Sequence, residues 1–536
     1  MKRIILSDVA MAGMFALFLL LFGNQRLWWE AWHLVDLTGG DRLLFLASMW
    51  VVLWLLFTGV LLLVTWPHVF KPVLLLLLLI ATPVAYFMDT LGVHINREMI
   101  RNAQQTDWRE VLDLLTPGLG WHLLVYGIIP AIGVIHLPVR YSLTPRQILR
   151  KGLLVLGGTL VAIGIILALY PSYASFFRNH HEIRQLINPS NSLYAVSSYV
   201  NRWRKSLNQE LVAIGEDVRM RSPAGGRPRL VVVVVGETAR ADHFQLGGYA
   251  RPTTPQLSQR ELFYFTRVLS CGTDTAVSVP CMFSDLSRSD YDADLARHRE
   301  NLLDTVQRAG VRVVWLENQS GCKGVCDRIT TRDLSRANDP ELCRDGVCQD
   351  EILSKTLQQV LNEPVRSTLV VLHQMGSHGP AYYKRYPKQF EQFQPVCRTR
   401  ELSGCSAEAL INSYDNTILY TDHVLSETIR VLEQHQQRYD AALYYVSDHG
   451  ESLGENNLYL HGAPYLIAPM AQKHVPMVIW LSPGFQQSAS ADRACLASRR
   501  TEALSHHNLF ATVLGMLDLE TRVYRPELDV LHACRR

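Results

Sequence analysis

No cysteine occurs in the first 270 residues of this chain of 536; all ten lie from Cys271 onward. Close pairs confined to one region imply disulfides there, and with them an oxidising compartment. Charge of a single sign is missing too. The formal net charge is only +3 and neither end carries a basic tail, so composition gives no reason to invoke nucleic acid. No internal repeat or low-complexity tract stands out. The long apolar runs of the first third are nearly free of ionisable residues, which argues against a transporter. At this length two or three structural units are expected.

Hydrophobic residues make up 48% of the chain but crowd into that first third. Five runs are long enough for a hydrocarbon core of about 30 Å, roughly Val9 to Phe22, Leu43 to Trp66, Val73 to Met88, Leu119 to Leu137 and Gly152 to Tyr170. The first is short. No small-residue cleavage site follows it, and Gln25-Arg26 with Trp28-Trp29 form an interfacial flank, so it reads as an uncleaved span. Lys2 and Arg3, then Lys71, then Arg140, Arg146, Arg150 and Lys151 fall on one side of these spans, which sets the amino terminus inside and everything after Tyr170 outside. In a Gram-negative cell that is the periplasm, reached from the inner membrane. The expected organisation is a five-helix transmembrane domain over 1–171, interfacial bridging helices and a linker over 172–228, and a periplasmic catalytic domain over 229–536.

Between the third and fourth runs, Glu98 to Leu115 patterns as a short amphipathic helix at the interface. Asn102, Thr106 and Glu110 are four apart and so share one helical face; a solvated polar stripe is the plain alternative. From Pro171 to Met220 aromatic and basic residues interleave, as in helices resting on lipid headgroups, and Ser222 to Pro228, SPAGGRP, reads as a linker. Beyond it, strand runs at Leu230 to Val235, Val311 to Trp315, Thr368 to Leu372, Ala442 to Val446 and Val475 to Leu481 alternate with helical patterns. That alternation predicts an α/β domain with a mostly parallel central sheet.

Three of these runs stop at residues that bind metals. LVVVVVGETARADHF ends its apolar run at Gly236-Glu237, a second run meets His373, and a third meets Ser447-Asp448-His449-Gly450. Carboxylates and histidine at neighbouring strand ends form the ligand set of a divalent cation, most often zinc when histidine takes part. The segment Ser270-Cys271-Gly272-Thr273-Asp274-Thr275 offers hydroxyls, weak nucleophiles that become useful when a cation stabilises the alkoxide. On spacing alone Thr273 and Thr275 could instead cap a helix beginning near Ala276. Near-neighbour pairing of the cysteines gives Cys271 to Cys281, Cys322 to Cys326, Cys343 to Cys348 and Cys397 to Cys405, since short loops close at small entropic cost, and leaves Cys495 and Cys534 by elimination. A four-cysteine zinc site from Cys322, Cys326, Cys343 and Cys348 is the rival scheme.

The motifs GETARAD, SCGTDTAVSVPCMFS, HQMGSHGPAY, YVSDHGESLGE and YLHG stand in this order, and together they resemble the lipid A phosphoethanolamine transferases, a family that includes the mobile colistin-resistance enzymes within the alkaline phosphatase and sulfatase superfamily. The likeness covers nearly the whole chain. It implies one tight zinc, and a second weaker one, with Glu237, Thr275, Asp448 and His449 as ligands of the first. Thr275 would be the nucleophile, taking phosphoethanolamine from phosphatidylethanolamine, releasing diacylglycerol, and passing it to a phosphate of lipid A. His378 and His461 match residues near the second metal or the phosphate oxygens. Asn102, Thr106, Glu110, Ser320 and Lys323 match positions lining the ethanolamine pocket, and His373 could be a ligand or a donor to one. Asp274 departs from relatives that carry a small neutral residue, and an extra carboxylate there could repel an incoming phosphate. The expected partners are the two lipids and the membrane, without nucleic acid, and the expected state is a monomer. The acceptor stays open, because core sugars and surface proteins are modified by relatives. A phosphoglycerol transferase and an inactive lipid-binding protein remain as other readings. A formylglycine sulfatase would need a Cys or Ser context that Cys271 and Cys281 lack.

Overall fold

The computed structural model describes residues 5–535 apart from 36, 107, 142, 207–208, 222–225 and 345–346. Lys2, Arg3 and part of the 222–228 linker therefore lie outside the described residues, as does the side chain of Glu110. The chain divides into two compact units, Met1–Ile100 with Leu115–Val200, and Arg101–Leu114 with Asn201–Arg536.

The first unit is helical. Helices α1 (Asp8–Phe22) and α2 (Gln25–Leu34) form a pair bent by 60°. The fifteen residues of α1, at about 1.5 Å each, cover roughly 22 Å, short of a hydrocarbon core. The run from Val9 to Phe22, expected as a whole span, is thus one arm of a broken element. Asn24 sits at the break, where its amide donates to Leu19 O and Asn188 O, both at 2.8 Å, and supplies partners that a continuous helix would not need. Next come α3 (Gly39–Leu63) and α4 (Phe70–Leu91); the short α5 (Arg97–Gln105) and α6 (Trp108–Leu114) follow in the chain, with Arg101–Leu114 counted in the second unit, and the first unit resumes with α7 (Pro117–His136) and α8 (Pro145–Ala168). Among the described residues four of these, α3, α4, α7 and α8, are long and apolar enough to cross a membrane, with the bent pair at the first of the five expected positions. Asp8 and Lys151 pair at 2.6 Å where α1 and α8 begin, and Lys151 also donates to Thr65, so this buried charge is matched.

The single amphipathic helix expected from Glu98 to Leu115 is two. With α5 ending at Gln105, the Thr106 hydroxyl turns back to donate to Asn102 O at 2.7 Å. Asn102, Thr106 and Glu110 therefore do not lie along one continuous helical face.

The second unit is built on a seven-stranded sheet. Its strands are β1 (Arg229–Gly236), β2 (Phe263–Phe265), β3 (Arg312–Glu317), β4 (Thr330–Asp333), β5 (Thr368–His373), β6 (Asp440–Ser447) and β7 (Met477–Leu481). They lie in the order β2-β7-β6-β1-β5-β3-β4. Neighbours pair parallel throughout, except that β7 runs antiparallel to both β6 and β2. The sheet is therefore mixed, and the run read from Val475 to Leu481 is its reversed strand. Residues 230–235 of β1 are at most 1% exposed, although successive side chains point to opposite faces. Both faces are covered, and each valine so buried contributes on the order of 1.5–3 kcal/mol. Two helices matter for the site, α9 (Thr275–Met282) and α10 (Ala407–Gln434). The ten cysteines are joined as Cys271–Cys281, Cys322–Cys326, Cys343–Cys348, Cys397–Cys405 and Cys495–Cys534. The four sulfurs of the rival zinc scheme are thus spent in two separate bonds.

Candidate active site

Strand register assembles the site. Val446 pairs with Val235 and Ser447 with Gly236, while His373 pairs with Val235 on one side and with Glu317 on the other. Four adjacent parallel strands thus end level, and the residues that follow them, Glu237 after β1 and Asp448 and His449 after β6, converge. The chain turns tightly there. Gly376 has φ +50°, and a Cβ at that position would lie 2.7 Å from Glu237 O, so only glycine fits beside this carboxylate.

Glu237, Asp448 and His449 are buried, and one ligand atom from each lies within 4.8 Å of the others. His449 meets Gly450 O through Nδ1 at 2.9 Å, so Nδ1 carries the proton and Nε2 keeps its lone pair. That lone pair faces Asp448 Oδ2 at 3.3 Å, Glu237 Oε1 at 3.4 Å and Thr275 Oγ1 at 3.4 Å. Asp448 Oδ2 is buried without a hydrogen-bond partner. Burial pushes the Asp448 carboxyl up from its ordinary range and the His449 imidazole well below its own. Carboxylates and a bare nitrogen converging in a buried cluster are unfavourable unless a cation joins them, and the mixed oxygen and nitrogen set fits zinc.

Thr275 Oγ1 stands 3.3 and 3.2 Å from the two Glu237 oxygens. Neither threonine caps α9. Asp274 does, accepting from Val277 N at 3.0 Å, while Thr273 donates to Ala463 O at 2.7 Å and Thr275 is the first helical residue. The additional carboxylate is thereby engaged at a helix amino end, where negative charge is favoured, while its charge still reaches His461. The turn is fixed from behind by the Cys271–Cys281 bond and by Ser278, whose hydroxyl accepts from Gly272 N at 2.9 Å.

His378 and His461 stand beside this group, with ring centroids 5.4 Å apart and His461 4.3 Å from His449. Burial holds His378 well below its ordinary value, helped by His461 and Arg385. Burial also opposes charge on His461, but Glu451, Asp448 and Asp274 outweigh it and raise the imidazole. His373 stands one layer out. Its Nδ1 faces Glu317 Oε2 at 2.9 Å, and its buried Nε2 has no partner. Lys323 donates to Ser320 Oγ at 2.7 Å and Ser320 O at 3.1 Å, and lies 3.5 Å from Gln105 O. Asn102 Oδ1 is buried without a partner.

Sequence reasoning missed several supports. Gln319 donates to Glu237 Oε2 at 3.0 Å and its backbone N–H donates to Glu317 at 2.7 Å, which links the β1 and β3 ends. His506 accepts from Cys271 N at 3.1 Å and donates to Ser447 O at 2.8 Å, bridging the Thr275 turn to β6. Burial depresses it to about 4, so it stays neutral and keeps both bonds. Glu317 ends a strand as Glu237 follows one, a signal that was readable; His506 had none.

Comparison with known proteins accords with this geometry. The family described as phosphoethanolamine transferase EptA/EptB matches residues 53–204, and the sulfatase family matches residues 229–519. Phosphoethanolamine transferase EptA of Salmonella typhimurium is 41% identical over 544 residues, covering 100% of this chain and 98% of the relative. Phosphatidylethanolamine transferase Mcr-1 of Escherichia coli is 40% identical over 457 residues, covering 82% and 84%. The solved integral membrane lipooligosaccharide phosphoethanolamine transferase A of Neisseria meningitidis is 42% identical, with a TM-score of 0.96 over 99% of this chain and 100% of that one. The chain belongs to the phosphoethanolamine transferase family of EptA and Mcr, whose second unit carries the alkaline phosphatase and sulfatase fold.

Proposed function

We propose that this transferase moves phosphoethanolamine from phosphatidylethanolamine to a phosphate of lipid A, by way of a covalent phosphothreonine at Thr275. The observation that carries the reading is the Thr275 hydroxyl placed 3.2–3.4 Å from Glu237 and His449 in a buried turn. Relatives named as phosphoethanolamine and phosphatidylethanolamine transferases support the transferred group and its donor. A Kdo(2)-lipid A phosphoethanolamine 7''-transferase, 30% identical over 482 residues, supports a lipopolysaccharide acceptor.

Thr275 Oγ attacks the donor phosphorus, and the bond to the diacylglycerol oxygen breaks, with that oxygen taking up a proton. An acceptor phosphate oxygen then attacks the same phosphorus and frees the threonine. Glu237, Thr275, Asp448 and His449 would hold one zinc, whose charge would favour the deprotonated hydroxyl and offset charge on the phosphoryl oxygens. His461, raised by its acidic neighbours, is suited to hold a proton near the leaving oxygen, while neutral His378 beside it contacts the phosphate. A second, weaker zinc at this histidine pair is the alternative, and it would require His461 to give up that proton. Lys323 suits the phosphate as a point charge, and Ser320, Asn102, Thr106 and Glu110 serve the ethanolamine end. Basic residues flanking the apolar helices and disulfides confined to the second unit support an inner-membrane protein with its amino terminus cytoplasmic and this unit periplasmic. Neutralising lipid A phosphates would lower surface charge and weaken polymyxin binding.

Mass spectrometry of lipopolysaccharide from cells expressing the wild type and Thr275→Ala tests the reading. The expected result is phosphoethanolamine on a lipid A phosphate with the wild type only. Its appearance on core sugar instead would move the acceptor, and its persistence in Thr275→Ala would remove the nucleophile.

A further inference from the structure

Scattered apolar residues on a protein surface need no explanation, but a contiguous exposed group does. One loop of the second unit carries such a group. Leu466 is 85% exposed, Met470 55% and Ile467 38%. The loop is firmly built. Gly462 N donates to Thr273 O at 2.7 Å, Ala463 N to Gln472 Oε1 at 3.1 Å, Tyr465 OH to Ser270 O at 2.8 Å, and the N–H groups of Ile467 and Ala468 to Pro464 O at 2.9 Å. These bonds present the apolar side chains outward on a fixed frame. Cations flank them, with the Arg288 guanidinium 4.6 Å and the Lys473 ammonium 5.3 Å from the Tyr465 ring centre.

An apolar tip with two cations beside it makes up the composition of a segment seated at a bilayer boundary. We propose that the 464–470 loop docks on a lipid bilayer, with Leu466, Ile467 and Met470 entering the hydrocarbon edge and Arg288 and Lys473 meeting anionic headgroups. The chain's own apolar helices keep a bilayer within reach. Gly462, which follows His461 and leads into the loop, donates to Thr273 O, so docking brings the Thr275 turn to the plane where lipid phosphates lie. The surface stands apart from the chemistry proposed above and adds how that site meets its lipids.

The test uses the full-length protein in nanodiscs of phosphatidylethanolamine and phosphatidylglycerol. All ten cysteines are in disulfides, so Leu466→Cys provides a single thiol for a spin label. Val365→Cys, at a site 42% exposed on the same unit, is the reference. The label at 466 is expected to favour collisions with lipid-soluble oxygen over a water-soluble nickel chelate at least threefold more than the label at 365. Equal ratios would overturn the proposal. In a second arm, Leu466→Asp is expected to slow turnover of bilayer phosphatidylethanolamine at least fivefold, while leaving turnover of a short-chain analogue dissolved as monomers unchanged. An equal fall on both substrates, or no fall on either, would overturn docking. If the wild type transferred from neither lipid, the phosphotransfer reading would fail while the label comparison still decided the loop.

Discussion

Replacing Asp113 by Asn probes what ties the Arg101–Leu114 segment to the rest of the second unit. Asp113 faces three cations, Arg400 at 3.0 Å, Lys384 at 3.3 Å and Arg385 at 3.4 Å. The Arg385 side chain is 4% exposed, whereas Lys384 and Arg400 are 34% and 31% exposed. At an effective dielectric of about 20, unit charges at this spacing attract by ~5 kcal/mol, much of it cancelled by desolvation. The two partly wet partners add only about 0–1 kcal/mol each. Removing one member of the buried pair leaves Arg385 uncompensated, at about 3–4 kcal/mol. At about 1.4 kcal/mol per tenfold, local opening of the segment should become roughly a hundred to a thousand times more frequent. Amide hydrogen exchange on the full-length protein reads this directly, with faster exchange expected in α6 and little change in β1. Arg385 also donates to His378 O at 2.7 Å, so turnover should fall together with the protection. Exchange in α6 within threefold of wild type would refute the reasoning, because the ion cluster would then not be what holds the segment.

Asp448→Ala should lower bound zinc measured by elemental analysis, whereas Thr275→Ala should keep most of it and lose phosphotransfer; full metal in Asp448→Ala would defeat the ligand assignment. Asp274→Ala should cost about 1 kcal/mol of stability through loss of the α9 cap and Asp274→Ser much less, and an equal loss in both by denaturant titration would contradict the capping role. Asp422 accepts from Gln256 N and Leu257 N, and burial raises it to about 6 from 3.8. The native state then holds this proton longer than the unfolded chain does. Stability therefore falls as pH climbs from about 4 to about 6, by roughly 3 kcal/mol, and is flat above. Relative to Asp422→Asn, wild-type stability should decline across that window; a difference independent of pH would show that the carboxyl is not perturbed.

The strand-end residues were legible because a run of buried β-branched side chains must stop where polar groups begin, and Glu237, Asp448 and His449 mark those stops. Short elements were not. The three residues of β2 and the exposed β4 carry too little pattern to separate from loops, and the reversal of β7 depends on which edge the chain returns to. The Asp274 cap follows a rule that the sequence displays, an acidic residue immediately before a helical run, although the threonines on either side satisfy the same rule by type. Gln319 and His506 could not be read. Each acts across the fold, on Glu237 and on Ser447, through contacts that exist only once the sheet has formed. The break between α5 and α6 was hidden because the apolar spacing continues across it.

The pairing of the cysteines bears on how the protein is made. The bonds join the first cysteine to the second, the third to the fourth, and so on to the end, with sequence separations of 10, 4, 5, 8 and 39. A chain delivered from its amino end offers these thiols in that order, and each short loop can close before the next pair emerges. An oxidase that joins whichever two thiols arrive together thus writes the native set at first pass. Cells without a disulfide isomerase should therefore accumulate this enzyme normally, and cells without the oxidase should not.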